Sequence, residues 1–293
     1  VQTGDVESFK TFDEFYDAYK RQMEYQISLL VNADNAIDQA HMERCPLPFE
    51  SCMGDDCMAR GMCLQEGGAV YNFTGPQGFG IANVSDSLYA IKRLVFDEKK
   101  ATLGDFKRAL ALNYGKGFDE ITVAEMTAQI VKELKQAGRN VSDEDIAAIA
   151  KTIMDTKLSD ADQAMCDNLY DMIDELPKFG NDIEDVDDLA RDAAYTYTRP
   201  VEKYKNPRGG MFQAGVYPVS ANVPLGGQTG ATPDGRLAHR PVADGVSPSS
   251  GKDVHGPTAA ANSVAKLDHG IASTGTLFNQ KFHPSELSGE VGL

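Results

Sequence analysis

No stretch of this sequence approaches the ~20 consecutive apolar residues that would span a bilayer. Its opening, VQTGDVESFK, has neither a basic start nor an apolar core and does not read as a signal peptide. Cysteine is scarce and badly spaced for metal or disulfide chemistry. Cys45, Cys52, Cys57, Cys63 and Cys166 form an odd set with no Cys-x-x-Cys pair, and each reads as a buried small hydrophobe rather than a nucleophile. No two of His41, His239, His255, His269 and His283 have the i, i+4 spacing of a helical zinc site. There is no G-x-G-x-x-G and no G-x-S-x-G. Gly245–Lys252 fails as a phosphate loop, with five residues between its glycines and Asp253 where Ser or Thr is needed. The acidic run Asp182–Asp188 lacks the glycine and closing Glu of a calcium loop and reads as a negatively charged first helical turn. Basic residues are also few: 28 Lys and Arg stand against 44 Asp and Glu, a net charge of −16, with no Lys/Arg stripe. A polyanion would be repelled, so nucleic acid is not expected as a partner, nor a membrane. Reduced thiols in a cytoplasm fit this composition best.

What is present suits a well-packed α/β chain. With 293 residues, 42% of them hydrophobic, the sequence could form two domains of about 150 residues or one large unit. It divides by texture at 1–115, 116–176 and 177–293. In the first stretch Thr11 with Glu14 opens a long amphipathic helix that ends before Pro46, and a second helix is expected over Asp55–Gln65. Ala69–Thr74 reads as a buried strand emptying into a glycine-rich loop. Ser85 is expected to cap a helix through Leu88, Ile91 and Leu94, and Thr102 with Asp105 opens another. The middle stretch is acidic and wholly helical, with starts at Thr122/Glu125, Ser142/Asp145 and Ser159/Asp162, and reads as an inserted hairpin or small bundle. In the third, a helix near Val186–Tyr197 precedes NPRGG and a strand-like Met211–Val219. A long run rich in Gly, Pro, Ser and Asn follows, of the kind that carries binding groups on a rigid scaffold.

Eight strings, in order, carry a resemblance. GGAVYNFTGPQGFG (67–80), DSLYAIKRLVFDEKK (86–100), PKFGND (177–182) and NPRGG (206–210) are followed by VYPVSANVPLG (216–226), ATPDGRLAHRPVADGVSPSSGKD (231–253), GPTAAANSVAKLDH (256–269) and GTLFNQKFHP (275–284). Together they resemble the glycyl radical enzymes, the pyruvate formate-lyase-like superfamily, over nearly all of the chain except 116–176. The resemblance implies a ten-stranded α/β barrel of two half-barrels, of which this chain would supply the second half-barrel and surrounding helices. It implies a backbone glycyl radical in an Arg-x-x-Gly-Tyr setting, installed by an S-adenosylmethionine-using iron–sulfur activase. It also implies a cysteine that becomes a thiyl, placed in a Cys-x-Glu motif in the eliminating members.

Neither motif occurs here: Cys63 with Glu66 is one residue too long. The resemblance places the cysteine upstream of Thr3–Asp5 and the glycine downstream of NQKFHP, so the chain reads as an internal piece of a longer polypeptide, inactive alone, with no cofactor or metal bound. By the same resemblance the strand matching Val216–Leu225 faces the substrate. The expected binding residues are Ser220, Ala221, Asn222 and Leu225, with Asn72 from the earlier strand. No Arg on that strand offers a sulfonate or carboxylate clamp. The implied function is a radical lyase or dehydratase of the choline trimethylamine-lyase and diol-dehydratase group, acting on a small hydroxylated substrate. It would be homodimeric and cytoplasmic, with a bacterial microcompartment as an alternative setting. An arylacetate decarboxylase or a formate acetyltransferase-like member is the alternative within the superfamily, and a non-catalytic spare-part protein the alternative outside it.

Overall fold

The computed structural model describes residues 1–117, 120–155 and 158–282. It is mixed but mostly helical. The elements in chain order are α1 (Phe12–Arg44), α2 (Pro48–Ser51), α3 (Cys57–Arg60), β1 (Gln77–Gly78), α4 (Ile81–Ile91), α5 (Leu103–Ala111), α6 (Glu120–Gln136), α7 (Asp143–Asp155), α8 (Asp160–Asp174), α9 (Glu184–Val201), β2 (Gly215–Val216), α10 (Asn222–Gly227) and α11 (Pro257–Ala265). None of the helices among the described residues is long and apolar enough to cross a membrane.

Two compact units form. The first comprises Val1–Ser85, Pro177–Val219 and the described part of Ala243–Leu293. Its longest element, α1, starts where the Thr11 hydroxyl accepts the Glu14 amide, with Asp13 and Glu14 in the positive first turn. It stops at Arg44, before Pro46. α9 repeats its apolar residues at helical spacing through Val186, Ala190, Ala193, Tyr197 and Val201, all buried. That stripe packs along α1, where Ile27 and Val31 meet Tyr197 and Val201, with Phe212 and Ala214 completing the cluster. Burial of each large apolar side chain contributes about 1.5–3 kcal/mol. Beside this core β1 and β2 pair in parallel, Gln77 with Gly215 and Gly78 with Val216. Further parallel bridges join Thr74 to Phe212 and Val216 to Thr276. The second unit comprises Asp86–Leu176 and Ser220–Val242. In it α6 packs against α7, and α5 against α8. Thr102 with Asp105 and Ser142 with Asp145 bond reciprocally at their helix starts, and Ser159 accepts from the Asp162 amide. The expected Thr122/Glu125 pair falls within α6, but its side chains lie outside what the structure describes, as do His283 and Pro284 entirely.

Four expectations are corrected. Ala69–Thr74 is not a strand: the Asn72 amide donates back to the carbonyls of Gly67 (3.3 Å) and Ala69 (2.7 Å), so local bonds displace ladder pairing until Thr74. Of the expected Val216–Leu225 strand only Val216 is extended, as the second residue of β2. Pro218 and Val219 (φ 55°) break it, and the chain then turns into α10, where Leu225 N–H donates to Ala221. The helix over Asp55–Gln65 divides at Gly61, which ends α3 by donating to Cys57 and Met58, before a 3-10 turn at Leu64–Glu66. Ser85 lies inside α4 rather than at its start, its hydroxyl donating to the Val186 carbonyl at 3.2 Å.

Candidate functional site

Ser220, Ala221, Asn222 and Leu225 gather at the start of α10, in the second unit. Ser220 and Leu225 are exposed, and Ala221 and Asn222 half-buried. Asn222 is anchored: its backbone carbonyl accepts from Val242 (3.2 Å) and its Nδ2 donates to the Val242 carbonyl (3.3 Å). The Ser220 hydroxyl, the anchored Asn222 and the apolar Leu225 thus lie together at the start of α10.

The loop after α10 folds back on it. Arg236 sends its guanidinium to the carbonyls of Arg240 (2.6 Å), Leu237 (3.2 Å) and Gly230, and to the Thr232 hydroxyl (3.2 Å). His239 N–H donates to Thr229 (2.9 Å). An added Cβ at Gly226 would meet the Arg240 carbonyl at 2.7 Å, so the loop lies tight against α10.

Asn72, the fifth expected site residue, belongs to the first unit, where the NPRGG turn holds its segment. Asn206 Nδ2 donates to the Asn72 carbonyl (2.5 Å) and the Thr74 hydroxyl (2.9 Å). Arg208 bridges the Phe73 carbonyl and Thr74 hydroxyl to Asp38 of α1, at 2.9 Å from its carboxylate. Asn72 spends its donors on local carbonyls, while Tyr71 next to it is 84% exposed. Asn206 and Arg208 were missed as holding residues. Their only sequence signal is the polar-then-glycine pattern of NPRGG.

Among the described residues the cysteines and buried acids serve packing and capping. Cys63 and Glu66 form a capping box around the Leu64–Glu66 turn, Glu66 accepting the Cys63 amide at 2.7 Å. Burial pushes the Cys166 thiol up. Lys266 gathers Asp187 (2.8 Å), Asp182 (2.9 Å) and Glu184 (3.0 Å), fastening the first turn of α9 to the end of α11. Burial raises the Asp187 carboxyl, whereas the hydrogen bond from Lys266 lowers that of Asp182. No cluster of three His, Cys, Asp or Glu residues fit for a metal occurs among the described residues. A groove of about 770 Å³ between α6 and α7 is lined by Ala124, Val131, Ile146 and Ala150 and contains none of the expected site residues.

Comparison with known proteins agrees over the whole chain. Residues 1–226 match the family described as pyruvate formate lyase-like, and residues 242–293 the family described as glycine radical. A solved structure on 1,2-propanediol dehydration in Roseburia inulinivorans, with its substrate and enantiomer selectivity, is 63% identical with a TM-score of 0.89. The alignment covers 100% of this chain and 35% of that one. The glycerol-bound B12-independent glycerol dehydratase from Clostridium butyricum is 48% identical, TM-score 0.78, over 99% of this chain and 30% of that one. Among curated proteins, trans-4-hydroxy-L-proline dehydratase from Clostridioides difficile is 32% identical over 100% of this chain and 31% of its own length. The chain thus spans about a third of the length of the relatives it matches.

Proposed function

The chain belongs to the pyruvate formate lyase-like family of glycyl radical proteins, and we propose that it is one third of a dehydratase acting on a small vicinal diol. The observation that carries this reading is the alignment of the entire chain, at 63% identity, with the structure concerned with 1,2-propanediol dehydration. Its share in the reaction is binding and orientation. Ser220 and Asn222 would receive the substrate hydroxyls and Leu225 its carbon skeleton, on a wall that in the longer protein belongs to the ten-stranded barrel.

The radical carriers are not among these residues. No Cys-x-Glu and no Arg-x-x-Gly-Tyr occurs, and Gly245, within the glycine radical match, is walled in by the Leu277 and Val216 carbonyls at 2.5 and 3.0 Å from an added Cβ. No radical step is therefore assigned to this chain. The longer protein would receive its glycyl radical from an S-adenosylmethionine iron–sulfur activase and work as a cytoplasmic homodimer. A microcompartment is the alternative setting.

The test is turnover by the full-length polypeptide, activated anaerobically. A vicinal diol is expected to yield the aldehyde and water. Ser220→Ala should raise KM about fivefold, the effect of losing one hydrogen bond of ~1 kcal/mol, and Asn222→Leu by at least as much, since it also loses the anchor to the Val242 carbonyl. Release of trimethylamine from choline, or of carbon dioxide from an arylacetate, with no aldehyde from any diol, would overturn the proposal.

A further inference from the structure

Within the second unit, the turn after α5 holds three consecutive residues in left-handed backbone: Asn113 (φ 49°), Tyr114 (φ 54°) and Gly115 (φ 68°). Glycine adopts this conformation freely and asparagine tolerates it, but a tyrosine there is a steric outlier. Such a residue persists only where its surroundings over-determine it, and outliers of this kind concentrate at functional sites.

Here the surroundings do so, and most of the bonds run to one place. Tyr114 is fully buried; its ring stands edge-on to Tyr170 at 5.4 Å, and its hydroxyl donates to the Thr232 carbonyl at 2.9 Å. Asn113, also buried, accepts the Ala238 amide on its Oδ1 at 2.8 Å and donates from Nδ2 to the Gly117 carbonyl at 2.6 Å. A Cβ on Gly115 would sit 2.7 Å from the Gln163 side-chain amide of α8, which would have to swing aside, and its φ of 68° would strain any other residue there. The two strained side chains therefore grip the 232–238 segment at its two ends. Between them, the Asp234 amide donates to Ser87 at 3.1 Å. From that segment Arg236 and His239 carry the connection to 226–230, and Val242 returns it to Asn222, the first residue of α10.

We propose that the Asn113-Tyr114-Gly115 turn is a positioning element for substrate binding. It sets the 229–239 loop, and through it the Ser220–Leu225 surface, without touching the substrate. The proposal rests on the diol-binding reading of α10 given above, and extends it by assigning the strained turn a role in affinity. Tyr114 and Asn113 are positioning residues, with Arg236 as the relay. The physical logic is that a short helix bearing exposed polar groups has few contacts of its own. Its placement is inherited from whatever fixes the loop that returns to it.

Tyr114→Phe removes the hydroxyl, with its bonds to the Thr232 carbonyl and the Gly235 backbone, and keeps the buried ring. Asn113→Gly suits the left-handed backbone at its own position while stripping the Ala238 amide of its acceptor. In the full-length polypeptide, each variant is expected to speed amide exchange across 232–239 about fivefold and leave α5 and α8 unchanged. With the diol as substrate, KM should rise about fivefold while kcat stays within about twofold. Exchange in 232–239 that matches the unsubstituted protein would overturn the proposal, as would faster exchange spread equally over α5 and α8. Faster local exchange with an unchanged KM would overturn it too, since the loop would then be loosened without consequence for binding. If the unsubstituted enzyme dehydrates no diol, the functional reading fails. The exchange pattern then decides separately whether the turn sets the loop.

Discussion

Arg108 reaches from α5 to fork onto both carboxylate oxygens of Asp162, at 2.5 and 2.8 Å, while the Ser159 hydroxyl donates to the same group at 2.8 Å. The hydrogen bond from Arg108, then that from Ser159, holds the Asp162 carboxyl down to about 2. The sign of the linkage follows. A carboxyl lowered in the folded state contributes stability that is fully present above its ordinary value near 4 and is lost as pH falls toward 2. An NMR titration should therefore find the Asp162 midpoint near 2. Asp162→Asn should flatten the part of the acid-unfolding curve between about pH 4 and pH 2. A midpoint near 4 would show that the fork does not persist in solution. At this same scale Ser220, Ala221, Asn222 and Leu225 came from a family resemblance, and their binding role is a proposal rather than a reading of local chemistry. Tyr114 and Arg236 were not legible, because their importance lies in carbonyls and amides over a hundred residues away or in a loop closing on itself.

Among the elements, helix starts were the most readable. Thr11, Thr102, Ser142 and Ser159 each cap the helix expected of them, since a cap is decided within four residues. Ser85 shows the limit of that rule: the same hydroxyl that caps a helix also serves inside one when a neighbouring carbonyl, here of Val186, accepts its proton. Strands were less legible, because apolar β-prone runs such as Ala69–Thr74 become strands only where a partner supplies a ladder. The pairing that does form depends on the NPRGG turn lying flat on the 72–74 backbone. An added Cβ at Gly210 would fall 1.8 Å from the Asn72 carbonyl oxygen. Gly210→Ala is thus expected to cost about 2–3 kcal/mol, as overpacking against backbone does. It should also release the Thr74 and Gln213 amides, which bond Met211 and Thr74, to faster exchange. A denaturation midpoint equal to that of the unsubstituted chain would refute this account of the turn.

For the molecule as a whole, the residues between 47 and 73 leave an unusual amount of apolar surface uncovered. Phe49 is 81% exposed, Met58 74%, Met53 69% and Tyr71 84%. Exposed apolar groups clustered along one stretch mark a surface meant to be covered. In a chain spanning about a third of its relatives' length, the remainder of a longer polypeptide is the natural cover. The 293-residue chain alone should bind a hydrophobic dye strongly, and Phe49→Ser with Tyr71→Ser should remove most of that binding. The full-length polypeptide should bind little dye, and equal binding by both forms would refute the assignment. By itself the sequence determined the family, the helix caps, the acidity and the absence of both radical motifs, because each is a matter of composition or of chemistry confined to a few neighbouring residues. Only the tertiary structure decided that the expected strand at 216–225 stops at Val216 and enters the short helix α10 at Asn222, that the Asn72 amide bonds back to the Gly67 and Ala69 carbonyls, and that a strained tyrosine underlies the loop. Those outcomes depend on which distant carbonyl or amide reaches a group first, and no local pattern records that.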